Sequence, residues 1–116
     1  MSSSFAQRQM QPDFMYAAVA SGEVDVIAGY TSDGLIAKYD LVVLDDVRHA
    51  IPPYDAILLI APKRAGDQAL QAALQPLLGR IDITDMRAAN LRAAGGDGAS
   101  SPDMAAHWLW EQTGKR

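Results

Sequence analysis

V-D-V-I-A-G-Y-T-S-D-G-L-I-A-K-Y-D-L-V-V-L-D-D, from Val24 to Asp46, is the stretch that decides how this chain is expected to fold. It opens with Val24–Gly29, which alternates for two residues and then turns apolar, as a mostly buried strand does. It closes with L-V-V-L, Leu41–Leu44, a second strand that ends at the acidic pair Asp45 and Asp46. Between them Ser32–Tyr39 reads as a short helix entered by Ser32 and Asp33. Further on, Pro52 and Pro53 bar regular pairing, and Ala56–Ala61 (A-I-L-L-I-A) is a continuous apolar run of the kind found in central strands. The expected fold class is therefore α/β.

Outward from this centre the signals are helical. Asp13–Ser21 has helical spacing, with Asp13 placed to cap it and Gly22 to end it. Gly66–Asp67 opens a helix whose Leu70, Leu74, Leu77 and Leu78 share one face, with Pro76 kinking the last turn and Gly79 ending it. Thr84 is the expected cap of a second late helix, with Asp85 in its first turn, where the macrodipole favours an anion. After the loop A-A-G-G-D-G-A-S-S, Ser101 caps a third, with Pro102 at its first position. Met104, Ala105, Trp108 and Leu109 share a face of that last helix, while Trp110 lies at an edge or interface. These late helices are expected to cover a short sheet.

Bulk properties narrow the function. The 116 residues carry a net charge of −4, with basic residues scattered rather than clustered, which argues against nucleic acid. No apolar run reaches the roughly 18 residues needed to span a bilayer. With no cysteine there are no disulfides, thiolate metal sites or cysteine nucleophiles. Residues 1–10 read as a polar leader or an expression-boundary segment without a signal peptide.

Two tyrosines are the candidate binding residues. Tyr30 ends the first expected strand and Tyr54 precedes the third, each beside Gly or Pro where the chain changes direction. Aromatic faces attract cations, and suit one that donates no hydrogen bonds, such as a quaternary ammonium. Packing is the alternative role, and on burial statistics alone it is the commoner one for tyrosine. Other clusters carry less. Asp45 and Asp46 are adjacent, so on a strand they face opposite ways, and with Arg48 and His49 they read as a solvated strand exit. Asp97 lacks the alternating ligands and closing glutamate of a calcium loop. There is no nucleophile–base pair, phosphate loop or dinucleotide fingerprint, so no enzyme and no cofactor are expected.

The ordered series S-G-E-V-D-V, Y-T-S-D-G, Y-D-L-V-V-L-D-D and P-P-Y-D closely resembles the substrate-binding proteins of glycine betaine/choline/carnitine ABC transporters, some of which are fused to their permease. The later I-D-I-T-D-M-R-A-A-N and S-P-D-M-A-A-H-W-L are similar to that family's last helices, so residues 11–116 read as its C-terminal portion. Leu35 stands where a basic residue is common, and Ala50–Ile51 where aromatics are common.

The resemblance implies part of a lobe like those of type II periplasmic binding proteins, with ligand held in a cleft by an aromatic cage. It places Tyr30 and Tyr54 on cage positions, which reverses the packing reading, with Thr31, Ser32 and Asp33 flanking the cleft. The implied partners are a quaternary ammonium osmoprotectant and an ABC permease, at the periplasmic or extracytoplasmic face of the membrane. Strands separated from the rest of a sheet leave unpaired edges, so a homodimer or larger self-association is also expected. The competing expectation is a non-catalytic structural protein that keeps the fold fragment without the ligand.

Overall fold

The computed structural model describes residues 5–52, 54–95 and 101–114. Among these residues five α-helices alternate with irregular segments: α1 Pro12–Ala20, α2 Gly34–Lys38, α3 Gln68–Leu74, α4 Ile83–Ala93 and α5 Pro102–Thr113. Single 3-10 turns occur at Pro62–Arg64 and Gln75–Leu77.

The helix starts follow their capping chemistry. Asp33 accepts from the Leu35 N–H at 3.0 Å, Asp67 from Leu70 at 2.9 Å, and Ser101 from Met104 at 3.3 Å. Each meets a backbone donor that a helix start leaves without an internal partner. Pro12 and Pro102 occupy first positions, where a missing N–H costs nothing. Two caps differ from expectation. Gln11, not Asp13, precedes α1, and Asp13 sits in its first turn. Asp82, not Thr84, caps α4, accepting from Asp85 N–H at 2.8 Å. The helix thus starts two residues earlier than a threonine cap implies. Pro76 cannot continue an α-helix, and the chain tightens there into Gln75–Leu77 before Gly79 turns it at φ +67°.

The helical packing centres on α4, which lies against both α2 and α5. Gly34 makes the first contact possible, because a Cβ there would sit 2.6 Å from Leu91 Cα. In the second, the Arg92 guanidinium lies 4.0 Å from the Trp108 ring centroid. Tyr16, Ala18, Ala89 and Ala105 are the buried hydrophobic residues among those described.

The expected α/β lobe with a short sheet under C-terminal helices is not what forms. Among the described residues there is no strand. Residues 24–27, 41–44 and 56–60 are irregular, and Val42, Leu44 and Leu59 stand 85%, 71% and 85% exposed. A strand is defined by a neighbour that meets its N–H and C=O groups, and an apolar sequence does not supply that neighbour. The molecule is correspondingly open. Its radius of gyration is 17.8 Å, against about 13 Å for a compact domain of this length. Its surface is 9724 Å², against roughly 6,200 Å² for a closed monomer of this mass.

Among the described residues no helix is long and apolar enough to cross a membrane.

Candidate ligand-binding site

Tyr30 and Tyr54 come together. Their ring centroids lie 5.7 Å apart with planes inclined by 36°, within the range of favourable aromatic pairs. Both rings remain largely open, Tyr30 at 66% and Tyr54 at 85% exposure, so they form a two-walled face rather than an enclosed box. A cation resting against it would meet the electron-rich faces of two phenols.

Tyr30 begins a tight turn closed by Asp33 N–H to the Tyr30 carbonyl at 3.0 Å. Neighbouring elements hold that turn. Arg87 Nε donates to the Thr31 carbonyl and Asn90 Nδ2 to the Ser32 carbonyl at 2.7 Å, both from α4. The Asp33 carboxylate caps α2 and accepts the Tyr16 phenol from α1. Gly29 leaves room for this last contact, since a Cβ there would meet Tyr16 Oη at 2.6 Å. The turn residues Thr31, Ser32 and Asp33 therefore have structural engagements of their own. Sequence reading missed Tyr16, Arg87 and Asn90; no local motif marks them, because each acts on a turn distant along the chain.

Burial, then the hydrogen bond to Asp33 and that carboxylate's charge, push the Tyr16 phenol up to about 12. The folded state holds this proton more tightly than the unfolded chain, where a tyrosine titrates near 10. The resulting stability is present in full below about pH 10 and is lost as pH rises towards 12. Tyr16→Phe is expected to cost about 1–2 kcal/mol at neutral pH. It should also remove this part of the alkaline fall. Urea midpoints of the two proteins from pH 8 to 12 check it: curves that stay parallel throughout would contradict the assignment.

The remaining clusters are structural. Asp46 Oδ2 accepts from Ile51 N–H at 2.7 Å, and the Ile51, Ala50 and Arg48 backbone hold its carboxyl below the usual carboxylate range. The Asp45–His49 segment is thus a loop organised by its own backbone, and His49 adopts a left-handed φ of +49° within it. No group of acidic and histidine side chains among the described residues is placed to hold a metal ion. Asp97 and Pro53 lie outside the described residues.

Comparison with known proteins adds the decisive observation. Residues 2–111 match the family described as the substrate binding domain of ABC-type glycine betaine transport systems. The chain belongs to this family. Over 87 residues it is 33% identical to the carnitine transport binding protein OpuCC of Listeria monocytogenes serotype 1/2a, strain 10403S. A second Listeria monocytogenes protein of the same description matches to the same extent. Each match takes in 74% of this chain but only 28% of the relative, so the chain corresponds to a minor part of the curated relatives' length. No solved structure matches it. The family is one of binding domains, not of enzymes, in accord with the absence of a nucleophile–base pair in the sequence.

Proposed function

We propose that this chain is the ligand-facing portion of a substrate-binding protein for quaternary ammonium osmoprotectants, serving an ABC permease at the outer face of a membrane. The observation that carries the reading is the Tyr30–Tyr54 ring pair, in a chain of the glycine betaine family. In this reading the trimethylammonium head rests against the open side of the ring pair, and Thr31, Ser32 and Asp33 frame the rim. Glycine betaine, choline and carnitine share that head, and the Listeria relatives are carnitine transport binding proteins.

Two exposed rings give only weak affinity, since each such contact contributes about 0.5–1 kcal/mol. The test is an NMR titration of the chain with glycine betaine, choline and carnitine, followed at the tyrosine ring protons. Saturable shifts in the millimolar range are expected. Tyr30→Ala or Tyr54→Ala should weaken them about 2- to 5-fold. Shifts that ignore both substitutions, or no shift up to roughly 100 mM ligand, would sink the reading and leave a scaffold that has kept the fold fragment alone.

The open surface carries the second part of the proposal. Val42, Leu44, Ile57 and Leu59 are exposed apolar side chains on segments without ladder partners, and a second copy of the chain covers them when the chain is alone.

A further inference from the structure

We infer that Arg87 and Asn90 are positioning residues for the aromatic pair: from α4 they fix the backbone turn that carries Tyr30 and so set the angle and separation of the two rings. The inference rests on the binding role proposed for Tyr30 and Tyr54 and names the groups that preorganise it.

The geometry is specific. Arg87 and Asn90 are three residues apart on α4 and therefore share a face. Their side chains reach the carbonyls of Thr31 and Ser32, two successive peptide oxygens directly after Tyr30. Leu91 on the adjoining part of that face receives Gly34, so the helix approaches closely just where the turn enters α2. On the other side of the turn Asp33 is tied to Tyr16 of α1. The peptides after Tyr30 are thus fixed by side chains 56 and 58 residues away, while Tyr30 itself remains open to solvent. Water satisfies the carbonyls of an exposed turn nearly as well, so stability alone gives only a modest reason for two long-range side-chain donors. Holding a ring face in one orientation gives a further one, because immobilising a receptor beforehand lowers the entropy lost on binding.

The test reads ring geometry without requiring ligand. Uniform 3-fluorotyrosine labelling gives one fluorine resonance for each of the four tyrosines, assigned by single Tyr→Phe variants. In the parent, Tyr54→Ala should move the Tyr30 resonance, and Tyr30→Ala that of Tyr54, because each ring shields the other. In Arg87→Met and in the double variant with Asn90→Ala, both resonances should move towards these unpaired positions. Tyr39 and the urea midpoint should change little, and Arg87→Lys should restore part of the shift. Unchanged Tyr30 and Tyr54 resonances would overturn the inference, as would a loss of stability that moves all four together. In a parallel ligand titration the double variant should bind about 2- to 5-fold more weakly, no more than the loss of one ring. A parent that binds none of the three ligands defeats the functional proposal, whereas the fluorine shifts still decide the role of Arg87 and Asn90.

Discussion

Gly34→Ala is expected to destabilise the chain by about 3 kcal/mol, the upper end of the range for forcing extra volume into a tight contact. The added methyl would sit 2.6 Å from Leu91 Cα and 2.8 Å from Leu91 Cβ. A flexible side-chain tip could swing aside, but here part of the obstacle is helix backbone, and α2 or α4 must move as a unit. That movement would also strain the Arg87 and Asn90 contacts to the turn. Gly66→Ala is the matched control, since nothing lies within 4 Å of a Cβ there and its φ is not left-handed. Its expected effect is neutral or slightly stabilising, through the unfolded state. Thermal unfolding followed by circular dichroism distinguishes them. Gly34→Ala should melt on the order of 10–15 °C below the parent, whereas equal melting of all three proteins would show that the α2–α4 contact does not hold the fold together.

What the sequence revealed of this arrangement divides along local and non-local lines. Asp33, Asp67 and Ser101 were readable as helix caps, and Pro102 as a first helical residue, because capping depends on atoms within a few residues. Asp82 was passed over for Thr84 because both are capping types close together, and only the backbone decides between them. The strands were misread for a different reason. Leu41–Leu44 and Ala56–Ile60 have the composition of buried strands, but pairing is a property of two segments, and among the described residues no second segment pairs with them. At the site, Tyr30 and Tyr54 stood out as aromatics at changes of chain direction. Arg87 and Asn90 did not, because nothing near them in sequence distinguishes a donor aimed at a distant carbonyl from a solvated helical side chain. Asp33 was visible both as a cap and as a rim residue, but its bond to Tyr16 was not.

The second large effect concerns association. Each chain exposes roughly 3,500 Å² more surface than a closed monomer of its mass. Obligate dimers bury about 2,000–5,000 Å² in total, so two copies have ample surface for a stable interface. Light scattering at about 10 µM chain is expected to give a dimer or larger species, with helix content unchanged on dilution. Leu44→Lys combined with Leu59→Lys should return a monomer. Both side chains are exposed in the single chain, at 71% and 85%, so the substitutions spare its own packing. At about 1.5–3 kcal/mol for each leucine withdrawn from an interface, the pair should weaken a symmetric dimer by a factor of at least about 10⁴. A parent that stays monomeric at that concentration, or a lysine variant that still associates, would show that another surface or none is involved.

The double engagement of Asp33 bears on how salt acts at the ring pair. Its carboxylate caps α2 and accepts from Tyr16, so it belongs to the scaffold rather than standing as a counter-ion beside the rings. Attraction between a bare carboxylate and a cation at the surface fades as ions accumulate, because the screening length shrinks from about 10 Å at 0.1 M to about 3 Å at 1 M. A cation in contact with a phenol face leaves no room for salt ions between the two, and contact pairs of that kind are screened less. If the proposed ring receptor binds its cation, it is expected to lose little affinity in concentrated brine, the condition under which an osmoprotectant is worth capturing.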